Sequence, residues 1–331
     1  MTPAGAGAPP PPADAELDPD IRRFVAAMSA GWARYPDLAS ASPAEARRIA
    51  EEVRAPWARG GPQMVRFFER HLPVGDGTVH IRVHDPSGGS RNPALVYLHG
   101  GGWTLFSIDT HDRLMREYAA RAGVTVVGVA YALSPEAKFP VALRQVAATV
   151  EYLAERGGEL GIDPERLAIG GDSAGANLAV AAALELRGRG ALAAVRALLL
   201  NYGVFARRSS PAAVLRLGGP GNMLTAEEME GFWRNYLRDE ADALDPLACP
   251  VLADLAGLPQ VLLVAAELDL LAEQSARFHE RLRAAGVPAR MEVYRGASHS
   301  FLEAVVLAPL ADRALAESAQ WLRAALTGER A

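Results

Sequence analysis

Leu167-Ala168-Ile169-Gly170-Gly171-Asp172-Ser173-Ala174-Gly175-Ala176-Asn177-Leu178 is the stretch on which the fold turns. A short apolar run ends in Gly-x-Ser-x-Gly, Gly171 to Gly175, and helix-period sequence continues from Ala174 to Leu186. A sharp strand-to-helix turn brings neighbouring backbones too close for a Cβ, so it demands glycine and lifts the serine hydroxyl above the sheet. Ser173 is therefore the candidate nucleophile. A glycine-rich turn alone is a common feature; the strand before it and the helix after it give the motif its meaning.

Outward from this turn, short apolar runs alternate with amphipathic helices. Upstream lie strand Ala94 to Leu98, helix Asp109 to Ala122, strand Val124 to Ala130 and helix Pro140 to Arg156. Downstream lie strand Ala197 to Asn201, strand Gln260 to Ala265, helix Leu271 to Ala285, strand Arg290 to Tyr294 and a last helix from about Phe301. This grammar predicts right-handed crossovers and a mostly parallel sheet covered by helices on both faces. Before it, Met64 to His71 and Thr78 to His84 alternate around Val74-Gly75-Asp76-Gly77, the pattern of an antiparallel hairpin. Helices are predicted over Pro19 to Gly31 and from a Ser42-Pro43-Ala44-Glu45 start. The alternation pauses from about 205 to 250, where a capping box at Thr225 and Glu228 opens a helix bearing Phe232, Trp233 and Tyr236.

Composition sets the outer bounds. The chain has 331 residues, half of them hydrophobic, and a net charge of −5 with no Lys/Arg block to follow a phosphate backbone. Nucleic acid is thus not an expected partner. Residues 1–14, rich in Pro and Gly, are expected to be a mobile tail. They lack the charged and apolar regions of a secretory signal, and no apolar run is long enough for a membrane helix. Cys249 is the single cysteine, so no internal disulfide forms. The expectation is a cytoplasmic protein with one domain over 15–331.

A serine hydroxyl needs a base. Of seven histidines, His71, His80 and His84 fall in the hairpin and His111 and His279 in helical patterns, while His99 opens a glycine loop. His299 sits in Gly296-Ala297-Ser298-His299-Ser300-Phe301, a loop leaving the last strand. Catalytic loops of open parallel sheets gather at the carboxyl ends of strands, where Ser173 also lies. An acid should orient that imidazole. Ala266-Glu267-Leu268-Asp269 ends a strand at the same edge, and Asp269 gives the chain order Ser, Asp, His; Glu267 and Glu273 compete with it. A developing oxyanion needs donors. The glycine loop His99-Gly100-Gly101-Gly102-Trp103 offers backbone N–H groups beside that of Ala174. His99 is read as structural, its side chain tying down that loop. Trp103, Phe205, Phe232 and Trp233 are expected to wall a modest pocket.

Together these residues resemble the hormone-sensitive-lipase-like family of α/β-hydrolases. The likeness rests on His99-Gly-Gly-Gly-Trp103, Gly171-Asp-Ser-Ala-Gly175, Tyr131-Ala-Leu-Ser-Pro-Glu136, Asp269 and His299, and spans the chain from about Ile21. Ser107 to Arg116 and Tyr236 to Leu255 bring it nearest the bacterial acetyl esterases. The resemblance implies hydrolysis of a short acyl ester, a small molecule, with no cofactor and no metal. It further implies Gly101, Gly102 and Ala174 as oxyanion donors, and a cap built from about 15–60 and 205–250. Tyr131 and Glu136 become supports near the site. Leu270-Leu271 and Ser300 depart from the family pattern of Asp-Pro-Leu and of Gly or Ala after the histidine. The same machinery would serve an amidase or N-deacetylase. A non-catalytic receptor, by contrast, is expected to have lost one of the three residues, which this chain retains.

Overall fold

The computed structural model describes residues 16–35, 40–75 and 77–328. The predicted mobile tail, 1–14, lies outside them. Strands β1 (Arg66–Val74) and β2 (Gly77–Asp85) form the antiparallel hairpin. Six further strands follow: β3 (Asn92–Leu98), β4 (Thr125–Ala130), β5 (Ile162–Asp172), β6 (Val195–Asn201), β7 (Gln260–Leu268) and β8 (Ala289–Ser298). Their order in the sheet is β1-β2-β4-β3-β5-β6-β7-β8. Only the β1/β2 and β2/β4 pairings are antiparallel.

Continuous apolar runs make sense because the sheet is buried on both faces. In β3, Ala94, Val96 and Leu98 point into one core and Leu95 and Tyr97 into the other. Leu198 and Leu200 of β6 alternate with Ala197 and Leu199 in the same way. Helices α4 (Val141–Arg156), α5 (Ala174–Gly188) and α8 (Ala272–Ala284) cover the first face. Helices α1 (Pro19–Trp32), α2 (Pro43–Ala58), α3 (Asp112–Ala122) and α9 (Pro309–Thr327) contribute to the second.

β3 lies between β4 and β5, so the chain adds strands first on one side and then on the other. Such a switch point opens a crevice at the carboxyl ends of its strands. The loops after β3 and β5, the triple glycine and the Ser173 turn, are therefore neighbours across that crevice.

Two elements differ from expectation. The last helix begins at Pro309, not Phe301, because Ser300 is left-handed (φ 61°) and Phe301–Val306 close as a 3₁₀ turn. Within the 205–250 segment, a short helix α6 (Pro211–Leu217) precedes α7 (Ala226–Tyr236). Ser210 caps α6 by accepting from the Ala213 N–H, a signal the sequence carried in Ser210-Pro211. The Thr225–Glu228 capping box opens α7, and Lys138 Nζ donates to the carbonyls of Arg234, Asn235 and Leu237 at its far end.

Candidate active site

The turn after β5 is held by close approach. An added Cβ at Gly171 or Gly175 would stand 2.2 or 1.9 Å from the Leu98 carbonyl oxygen, so neither position admits a side chain. Ser173 itself adopts φ 53°, ψ −115°, outside the ordinary regions, and its N–H donates to the Asn201 carbonyl at 2.9 Å. The strained turn places its hydroxyl at the N-terminus of α5, where the Ala174 N–H has no intrahelical acceptor.

His299 Nε2 lies 3.1 Å from Ser173 Oγ, and His299 Nδ1 lies 2.7 Å from Asp269 Oδ2. All three are buried. The Leu271 N–H donates to Asp269 Oδ1 at 2.9 Å, fixing the carboxylate, while Tyr202 meets the imidazole edge-on at 5.1 Å. The other two acids lie elsewhere. Glu267 accepts from the Gly296 N–H near the end of β8, and Glu273 binds Ser210 at the start of α6.

Gly101 and Gly102 border the same cavity as Ser173 and His299. Their positive φ values, 105° and 58°, turn the loop, and among the described residues their N–H groups have no protein acceptor. His99 fastens this loop: its Nδ1 donates to the Gly100 carbonyl at 2.7 Å, and its ring stacks on Tyr131 at 4.4 Å. The Tyr131 hydroxyl donates to the His99 carbonyl at 2.7 Å. Burial, aided by the neighbouring His111, pushes the His99 imidazole down to about 3, so it stays neutral. Glu136 pairs with Arg47 of α2, which also donates to the Thr104 and Ser134 carbonyls.

A link that sequence reading missed joins the two loops. Asp172 Oδ1 accepts from the Tyr97 hydroxyl (2.8 Å) and the Gly100 N–H (3.1 Å), and Oδ2 faces His111 Nε2 at 3.3 Å. Burial opposes both charges. The mutual attraction outweighs it, raising the His111 value and lowering that of Asp172. His111 stands at the N-cap position of α3 without capping it, its buried side chain turned to Asp172 instead. Arg54 was also missed. It lies on the inward face of α2 with Ile49, Ala50 and Val53, a charge at a buried helical position being the available signal.

Trp103 and Phe205 do not wall the cavity, contrary to expectation. Trp103 is fully buried, stacked on Tyr236 at 4.2 Å and against Trp233 at 4.6 Å. Phe205 is fully buried against Phe278 at 4.2 Å. Both rings fill core space that the adjoining helices enclose. The lining comes instead from Phe106, from Trp32 and Arg54 of the N-terminal helices, and from Met223, Met229 and Phe232 of the later segment. Its free volume is about 70 Å³.

This chain belongs to the α/β-hydrolase fold family, whose model matches residues 95–303, and within it to the hormone-sensitive-lipase-like group. It is 36% identical over 277 residues to the acetyl esterase of Salmonella agona, covering 83% of this chain and 84% of that protein. Among solved structures it is similar to EstE1, a thermostable carboxylesterase from a metagenomic library. That match has 35% identity and a TM-score of 0.83 over 87% of this chain and 99% of the other. A thermostable esterase of Pseudomonas putida matches at 29% identity and a TM-score of 0.89, covering 98% of this chain and all of that one.

Proposed function

We propose that this chain is a serine carboxylesterase acting on small short-chain acyl esters, acetyl esters foremost. The observation that carries the reading is the run of contacts from Ser173 Oγ through His299 to Asp269. His299 Nε2 takes the Ser173 proton as Oγ attacks the ester carbonyl. The oxyanion is held by the N–H groups of Gly101, Gly102 and Ala174. His299 then protonates the departing alcohol. The same imidazole then deprotonates a water that attacks the acyl-enzyme, and His299 passes that proton to Ser173 Oγ as the acyl bond breaks. Asp269 stabilises the imidazolium throughout.

Esterase chemistry is supported further by the named esterases among its relatives. The short-acyl preference follows from size: about 70 Å³ falls well below the ~300–1,000 Å³ of sites for drug-sized ligands. The segments carrying Trp32 and Phe232 act as its cap. Among the described residues no helix is long and apolar enough to cross a membrane, and the lone Cys249 is buried; the cytoplasm is the compartment proposed. The test is kcat/KM on p-nitrophenyl esters from acetate to decanoate, with Ser173→Ala as control. Efficiency is expected to peak at acetate to butyrate and to fall on the order of 10⁴- to 10⁶-fold in the variant. A peak at decanoate, or a variant with near-normal turnover, refutes the reading.

A further inference from the structure

Arg54 is 4% exposed, yet it borders the cavity that holds Ser173 and His299. Its Nη1 stands beside Glu303 Oε2 as an ion pair, and its Cζ lies 4.4 Å from the centre of the Phe106 ring. Nη1 meets Glu303 Oε2 in that ion pair, while the buried Nε has no acceptor among the described residues. A guanidinium carries five N–H donors, and a single carboxylate contact leaves some of them without an acceptor, which is costly in a buried place. Around it the wall sets apolar Trp32, Phe106, Met223 and Phe232 beside the acids Asp172 and Glu228, so among the described residues Arg54 is its one cationic donor from the cap. In such a pocket a single unmatched donor group sets ligand orientation and choice.

Resting on the esterase reading above, we propose that Arg54 is a specificity-determining residue that donates to a neutral oxygen in the alcohol portion of the substrate. The preferred substrates are then short acyl esters of oxygenated alcohols (ethers, polyols, hydroxy ketones), not of plain alkyl alcohols. The acceptor is neutral because Glu303 already balances the Arg54 charge, and a substrate carboxylate would set a second anion beside it. It belongs to the alcohol because an acetyl group has no oxygen beyond the reacting carbonyl.

The test compares 2-methoxyethyl acetate with butyl acetate by pH-stat, each kcat/KM divided by the ester's hydroxide-catalysed rate. The two differ by one methylene replaced by oxygen. The wild-type ratio is expected to favour the ether at least about tenfold. In Arg54→Met/Glu303→Leu, which removes both charges together, the ratio is expected to fall to about one. Arg54→Lys keeps a cation for Glu303 but loses the planar donors, and its ratio is expected to drop at least about threefold; this single change reads the idea even if the double variant does not fold. A wild-type ratio near one, or a ratio unchanged in the variants, overturns the assignment. A preference for acetylated glycolate over the methoxyethyl ester overturns the neutral acceptor. Failure of the wild-type protein to hydrolyse either acetate refutes the esterase reading itself, which the ratio does not touch.

Discussion

Phe232→Ala tests how the acyl range is set. The Phe232 ring rests on the glycine loop so closely that a Cβ on Gly102 would stand 2.2 Å from its Cγ. With the oxyanion held as proposed, the ester carbonyl lies over this loop and the ring closes the space available to the acyl chain. Removing it opens room on the order of two to three methylenes, each contributing about 0.8 kcal/mol when buried, or about fourfold in kcat/KM. The hexanoate-to-acetate ratio is therefore expected to rise roughly 15- to 60-fold. Phe232 is only half-buried, so its loss should leave the fold intact, checked by thermal unfolding. Steady-state rates on p-nitrophenyl acetate, butyrate and hexanoate give the answer. A chain-length profile of unchanged shape refutes the placement of the acyl chain beneath this ring.

Gly101→Ala should disable the oxyanion loop: at φ 105° its Cβ would lie 2.2 Å from the Leu105 carbonyl oxygen, so the loop must shift. A kcat loss of roughly 10²–10³ with little change in KM is expected, and a loss under about threefold contradicts the role. His99 should make the protein acid-labile. Its value is lowered to about 3 in the folded state, against an ordinary 6.5, chiefly by burial and next by His111. The unfolded chain therefore binds a proton that the native one refuses, and stability is lost as pH falls from about 6.5 toward 3. His111 and Asp172 remain in both proteins, so comparison with His99→Asn reads the part of the acid lability that needs the His99 imidazole. Between about pH 6 and pH 4 the wild type should lose about 2–3 kcal/mol more than that variant in urea unfolding. Parallel stability curves would contradict a neutral buried His99.

Most of the sheet was legible because its strands are buried on both faces: Ala94 to Leu98 reads as one apolar run since its alternate residues enter two cores. Ser173, Asp269 and His299 stood out because strand ends are marked in sequence, and the parallel sheet gathers those ends at one edge. Residues that reach the site from the flanks carry no such mark. Phe205 and Trp103 read as pocket walls from their type and neighbourhood, but which way an aromatic ring faces depends on helices packed over it. Arg54 and His111 approach from α2 and α3 across the sheet edge, and periodicity does not report what a buried charge meets. The 3₁₀ turn at Phe301 depends on the left-handed Ser300, which the residue type does not demand.

The most direct test of the central claim is labelling with a fluorophosphonate, followed by peptide mass mapping of wild type, Ser173→Ala and His299→Asn. One equivalent on the peptide containing Ser173, none in Ser173→Ala, and labelling slowed by roughly 10³ or more in His299→Asn is the predicted result. An active protein that takes no label, or takes it on another residue, would contradict the account.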